Sequence, residues 1–511
     1  MKSFLRILQL GALLFALPLI CQQAPNGALG FQPGKSFQMG DFDTVNLFNG
    51  NLTVSIPLGP SFTPGGNLAY GLHLVYNGNA WVIHDDTPPE AIPNRFSNAA
   101  LGWRVSLGEL VAPQDPAILD IAEGPGRWIF LGADGADHTF YLTLHDEENG
   151  TNYAGSDALD FGTVVGYTRD GSYLRLVRGA RVQTTPNPCP LFQCGYTVDY
   201  SIEAPDGNVH TFQAEITKSF FGGPPTVQED AKLSYHLMSS VDRFGNYLHV
   251  TYPDALTWVI KDGTPSAGDI RTHTVHLKND TFYEFRGQPT AHLFVDRIDL
   301  AAFNGQPATY TFNYSDYVEI SKNCDDQYPG NTTNTRFLNS ITQPDGSLFA
   351  MNYLTIVRDP VTNAIQCSKT AGHLLQFALP TGGKITYDLE MRIFPEFRDD
   401  PDPQKGPGGG IRDHSMGVKT RTLLDANNAP VGAWSYHADL TDPIDYRYPG
   451  NVVSRQPLGL VVTVKDPLQQ TTAYYFDVDH FGPDPVNGCY PGGTEDVEYA
   501  MPFTRMAGTA R

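Results

Sequence analysis

"YTVDYSIEAPDGNVHTF", residues 196–212, alternates so strictly that Tyr196, Val198, Tyr200 and Ile202 fall on one side of the chain while Thr197, Asp199, Ser201 and Glu203 fall on the other. A period of two is the signature of a half-buried β-strand. The alternation breaks at Ala204-Pro205-Asp206-Gly207-Asn208 and resumes with His210, Phe212 and Ala214. Pro205 presets φ near the turn value and Gly207 supplies a positive φ, so the stretch predicts an antiparallel hairpin.

The same unit recurs down the chain. "RWIFLGADGADHTFYLTL" (127–144) turns at Ala133-Asp134-Gly135, and "FLNSITQPDGSLFAMNYL" (337–354) at Pro344-Asp345-Gly346. "LLQFALPTGGKITYDLE" (374–390) turns at Pro380-Thr381-Gly382-Gly383, and "GLVVTVKDPLQQTTAYYFDV" (459–478) around Asp466-Pro467. Further strand pairs are read at 239–252 and 307–316. The expected fold is all-β: an extended antiparallel sheet of successive β-hairpins, with one wet face and one packed face. No 12-residue window after the N-terminal segment keeps a 3.6-residue period, so few helices are expected. The spacing of the units is irregular, which argues against a solenoid of fixed period.

The chain has 511 residues, enough for several packing units or one extended repetitive architecture. Its formal charge of -21, from 34 Lys and Arg against 55 Asp and Glu, excludes a surface built to bind nucleic acid. The N-terminus places Lys2 and Arg6 ahead of an apolar run from Ile7 to Ile20, the layout of a secretory signal peptide, assigned here to residues 1–23. Export to a secreted or cell-surface location follows as the expectation. Cys21 raises lipidation, but Ile20 stands where a lipobox has Gly, Ala or Ser. Pro- and Gly-rich breaks at 220–230 and 397–414 divide the remainder into an N-terminal β region (24–220), a middle hairpin region (231–396) and a C-terminal β region (411–511).

Export makes disulfides chemically available. Cys189 and Cys194, in "PNPCPLFQCGY", are separated by a spacer that favours a small closed loop, and Cys324 and Cys367 flank a strand pair they could bridge. Cys489 is then left unpaired. A zinc knuckle would need a second ligand pair at finger spacing, which does not follow.

The constellations of chemistry are sparse. A glycoside hydrolase needs two carboxylates facing each other across a cleft; "HDDTPPE" (84–90) and "LHDEENG" (144–150) are the densest acidic stretches, and both sit among turn formers. There is no Gly-x-Ser-x-Gly elbow, and Gly406-Pro407-Gly408-Gly409-Gly410 lacks the Lys-Ser and helix of a phosphate loop. "FRDDPDPQKG" and "FDVDHFGPDPVNG" cluster Asp without the order of an EF-hand or a nonapeptide calcium repeat. His84, His210, His249 and His414 read as strand or loop residues. No catalytic residue, metal site or cofactor is assigned.

Three stretches, "VNLFNGNLTVSIPL" (45–58), "YGLHLVYNGNAW" (70–81) and "LGWRVSLGELV" (101–111), together resemble the N-terminal region of secreted bacterial RHS, or YD-repeat, proteins. The PDG and PTGG hairpins look like degenerate forms of that family's repeat. The resemblance implies a long sheet that spirals into a hollow shell around a toxin or other payload, with roles in competition or at cell surfaces. It also departs from the pattern: Tyr387-Asp388 continues into "LEMRIF" without the following Gly-Arg, and no autocleavage signature or toxin domain is visible. The expected function is therefore a non-enzymatic exported scaffold, the N-terminal part of such a shell. Its expected partners are downstream repeat and payload segments beyond Arg511 or further copies of itself, and cell-surface glycans. A carbohydrate-binding adhesin module is the alternative, and a secreted glycan-degrading enzyme the third reading.

Overall fold

The computed structural model describes residues 37–40, 42–78, 81–84, 90–93, 97–112, 128–141, 164–183, 193–219, 228–230, 234–283, 289–321, 332–355, 372–393, 397–398, 414–440, 443–447, 453–457, 459–477, 497–498 and 503–506. These residues form antiparallel strands throughout, with a single 3-10 turn at Phe303–Gly305. No helix among them is long and apolar enough to cross a membrane.

The opening stretch is the hairpin its alternation predicts. Gln193–Glu203 pairs with Val209–Ser219 in continuous register, Tyr200 opposite Phe212 and Ile202 opposite His210. Tyr200, Ile202 and Phe212 are buried.

Seven turns share one backbone geometry, which explains why the sequence writes the same unit so often. In each, the first residue's N–H donates to the fifth residue's carbonyl, and the fourth residue's N–H donates back to the first carbonyl. Ala204 N to Asn208 O is 2.9 Å and Gly207 N to Ala204 O is 3.0 Å. The same pair of bonds recurs in turns beginning at Gly132, Asp242, Gln343, Leu379, Asp425 and Asp466. The fourth residue sits in the left-handed region: Gly135 at φ 84°, Gly207 at 88°, Gly245 at 80°, Gly346 at 83° and Gly382 at 89°. This is a type I turn closed by a left-handed residue, which suits the twist of the flanking strands. Gly383 is not among the positive-φ residues; its carbonyl accepts the Leu379 N–H at 2.8 Å. Asn428 (φ 64°) and Gln469 (φ 66°) hold the left-handed position without being glycine. Asp side chains finish the turns by accepting a backbone N–H, as Asp206 does from Asn208 (2.9 Å) and Asp466 from Gln470 (2.8 Å). Part of the acidic composition is thus spent on turn closure.

Two sheets carry the architecture. The first has 5 strands in the order Phe37–Met39, Asp43–Asn46, Leu52–Gly65, Leu68–Asn77 and Trp103–Ser106. The second begins at Glu109–Val111 and runs hairpin by hairpin to Phe503–Met506. It closes into a barrel where Ser234–Val241 pairs with Glu109–Val111, Tyr235 opposite Leu110. Beyond Tyr247 it continues as a long antiparallel sheet.

The long sheet has the expected two-sided character. Leu248, Val250, Ile260, Val275, Ile298, Phe312, Ile341, Phe377 and Val462 point into one buried cluster, while alternate residues such as His249 and Thr251 are exposed. The first sheet is the other half of that cluster, through Val54, Ile56, Leu58, Leu72, Leu74 and Trp103. Its last strand is shielded by Asn98, whose side chain takes the Val105 N–H and donates to the Val105 carbonyl, both at 2.8 Å, as a neighbouring strand would.

Cys21, Cys189, Cys324, Cys367 and Cys489 lie outside the described residues, as do the proposed signal peptide and both Pro- and Gly-rich breaks over most of their length. Of Cys194 only the strand backbone is described, opposite Lys218.

Candidate functional site

The densest polar chemistry lies in the seam where the first sheet packs on the long sheet, and it is built from residues that are far apart in sequence. At one end, Tyr70 of the Leu68–Asn77 strand reaches Asp262 and His273. The Tyr70 hydroxyl donates to Asp262 Oδ2 at 2.8 Å and lies 2.9 Å from His273 Nε2. Ala301 N–H donates to His273 Nδ1 at 3.0 Å. The ring's proton therefore sits on Nε2 and is given to the Tyr70 oxygen. Arg271 completes the group by donating Nε to Asp262 Oδ2 at 2.8 Å and its backbone N–H to Oδ1 at 3.0 Å. Asp262 and His273 are each 0% exposed. Burial pushes His273 down to about 4, and burial with the Asp262 bond pushes the Tyr70 phenol up. The order Tyr–His–Asp invites comparison with a catalytic relay. Its acid and imidazole are sealed from solvent and every described polar atom is spent on a neighbour, so the geometry is that of a fastening.

In the middle of the seam, Trp103 Nε1 donates to the Tyr353 hydroxyl at 2.7 Å, which donates in turn to the Leu338 carbonyl at 2.7 Å. The Tyr76 hydroxyl accepts the Leu374 N–H at 3.0 Å. His373, next to Leu374, is pushed down to about 4 by burial.

At the far end, Arg421 clasps Asp43 with both arms, Nε to Oδ2 at 2.5 Å and Nη2 to Oδ1 at 2.7 Å, and the Tyr387 hydroxyl donates to Oδ2 at 2.9 Å. Burial works against the Arg421 charge, but the Asp43 bonds hold its pKa above the ordinary value. Beside this pair Arg392, almost wholly buried, donates Nη1 to the carbonyls of Leu47 (2.8 Å) and Phe48 (3.2 Å) and Nη2 to that of Val418 (3.2 Å). Burial lowers Arg392 to about 10.

These contacts explain two of the stretches that carry the resemblance. In "LFNGNL" the chain folds back on itself: Asn46 Oδ1 accepts the Phe48 N–H at 3.0 Å, and the Gly50 carbonyl accepts Val418 N–H at 2.9 Å. Gly50 has φ 73°, and a Cβ there would lie 2.5 Å from Arg392 Nε and 2.6 Å from Gly417 Cα. In "LGWRVSLGEL" Gly102 has φ 78° and presses on the Tyr76 ring, where a Cβ would come within 2.7 Å. Arg104 bridges to Glu109 at 2.9 Å and fixes the turn into the second sheet.

Of the residues singled out from sequence, the turn glycines Gly135, Gly207, Gly346, Gly382 and Gly383 lie at hairpin tips, and none reaches the seam chemistry. The acidic stretches 84–90 and 144–150 fall largely outside the described residues. Asp43, Asp262, His273, Arg392 and Arg421 were not anticipated. For Asp262 and His273 the available signal was parity: Asp262 follows Trp258 and Ile260 on the apolar side of its strand, and His273 precedes Val275 and Leu277 on the same side. Among the described residues no group of three or more His, Cys, Asp or Glu side chains is placed to hold a metal ion.

No family model matches the chain. No curated protein matches it either. Among solved structures, the crystal structure of TcdB2-TccC3 aligns with 95% of this chain at 12% identity and a TM-score of 0.22. The chain spans 21% of that structure's chain.

Proposed function

We propose that the protein is an exported, non-enzymatic β scaffold that forms the opening part of an RHS-type shell, for enclosing a payload or for presentation at a cell surface. The observation that supports this reading is the seam itself. Two of the stretches that carry the family resemblance, "LFNGNL" and "LGWRVSLGEL", spend their distinctive residues on fastening the first sheet to a continuous hairpin sheet: the Leu47 and Phe48 carbonyls on Arg392, and Trp103 on Tyr353. A sheet lined in this way has one side committed to packing and the other free for solvent or partners. Buried charged groups in it serve position rather than turnover.

The test is co-expression of the full chain with the polypeptide encoded immediately downstream, followed by protease challenge. A stable complex that protects the downstream product supports the scaffold. A downstream product digested as fast as it is alone contradicts it. Release of reducing sugar from a glycan panel by the purified chain would replace the scaffold with the enzyme reading.

A further inference from the structure

Two buried histidines sit in the seam, and one of them is wired so that it fits only in its neutral form. His273 lies between the Phe62 ring, 4.5 Å away between centroids, and the Tyr70 hydroxyl. Its Nδ1 is already an acceptor for Ala301 N–H, and its Nε2 proton is already given to Tyr70. A second proton on the ring has to go to Nδ1, where it meets the Ala301 N–H head on: two donors and no acceptor. The cation is also held in a site that is 0% exposed. The charged groups that face it are Asp262 from the adjoining strand Thr257–Thr264 and Arg271 from its own strand; from the first sheet it meets the Tyr70 phenol. Asp262 favours the added charge, but both its oxygens are taken by Arg271 and Tyr70, and Arg271 opposes it. Burial is the largest effect and acts against the cation. His373, by the Tyr76–Leu374 bond, is pushed down by burial.

We propose that this end of the seam is an acid-sensitive latch: protonation of His273 releases the Phe62 and Tyr70 end of the Leu52–Gly65 and Leu68–Asn77 hairpin from the long sheet while the long sheet stays paired. The hairpin meets the histidine through the Phe62 ring and the Tyr70 hydroxyl, whereas His273 and Ala301 lie in strands held by backbone pairing, His273 opposite Ile260 and Ala301 opposite Pro307. This holds whatever the scaffold carries.

The sign follows from the direction of the shift. A histidine at about 4 in the closed seam and near 6.5 once exposed binds its proton more tightly in the open form. Closure is therefore unaffected above about pH 6.5, weakens as the pH falls below it, and reaches its full loss below about pH 4. At pH 5 the opening equilibrium should rise by roughly thirtyfold from His273 alone.

The experiment is hydrogen–deuterium exchange on the full-length protein at pH 7 and pH 5, corrected for the pH dependence of chemical exchange. Protection of the Ala301 amide, whose N–H is donated to His273 Nδ1 under the Phe62 and Tyr70 cover, is expected to fall by about thirtyfold more in the wild type than in His273→Gln, which cannot titrate. An equal fall in both, or none in the wild type, overturns the proposal. Should His273→Gln fail to fold, the wild type alone decides it: the Ala301 amide must lose protection at pH 5 while the 459–477 hairpin, which lacks a histidine, keeps its own. Uniform loss across both segments is global acid unfolding and overturns the latch.

Discussion

Arg421 holds both carboxylate oxygens of Asp43, 378 residues earlier in the chain, and in doing so ties the second strand of the first sheet to a late strand of the long one. The pair is buried on both sides. A two-armed guanidinium–carboxylate contact fixes orientation as well as distance, so it sets the register of one sheet on the other.

Removing one partner should cost far more than removing both. Asp43→Asn leaves Arg421 charged and half-satisfied in the core, a loss of about 3–5 kcal/mol. The double change Asp43→Leu with Arg421→Met should recover part of that, since apolar replacements of similar volume are often neutral for a buried pair but the Tyr387 hydroxyl loses its acceptor. Thermal melts of the two variants and the wild type form the comparison. A double variant as unstable as Asp43→Asn would mean that the pair contributes net stability beyond avoiding an orphaned charge.

The left-handed turn position offers a graded test of backbone strain. Gly346 has open space around a built Cβ, so Gly346→Ala should cost only the backbone preference, about 1 kcal/mol. Gly50→Ala adds a collision with Arg392 and the Gly417 backbone and should cost clearly more. Gln469→Gly, at φ 66°, should be neutral or stabilising by up to about 1 kcal/mol. Denaturation midpoints order the three. Equal losses at Gly346 and Gly50 would show that the motif glycine is not held against the arginine.

His138 and Asp170 form the opposite case to His273. Their side chains meet at 2.6 Å; burial alone would lower His138, but the Asp170 bond and charge raise it above its ordinary value. Stability from this contact is complete below about pH 6.5 and is lost as the pH rises through the folded-state value. In Asp170→Asn the histidine should titrate below its ordinary value, as burial is then opposed by less charge. Histidine ring resonances followed against pH report it directly, and an unchanged His138 titration would break the assignment.

The hairpins were legible because each is local. Period-two alternation and a Gly at the left-handed position specify strand, turn and strand within about twenty residues, and Tyr200, Phe212 and Gly207 lie where that pattern puts them. Asn428 and Gln469 hide the same turn from a glycine search, because tertiary pairing overrides the local preference there. The seam was not legible. Tyr70 and His273, or Leu47 and Arg392, are brought together only by the way one sheet lies on another, and strand periodicity carries no record of that choice. What the sequence does show is a charged residue on an apolar side at Asp262, which marks a buried partner without naming it; at Arg421 a register shift between Asp388 and Leu389 breaks the alternation with Met416 and Val418.

The most direct measurement of the seam is a photocross-link from Phe42, which lies in the first sheet's turn region with its ring 6.3 Å from Phe349 and 6.1 Å from Phe377. With p-benzoylphenylalanine in place of Phe42 in the full chain, irradiation and peptide mapping should find adducts in 348–353 and 374–378. Adducts confined to 37–106 in a folded protein would contradict the packing of the first sheet on the long sheet, and with it the scaffold built on that contact.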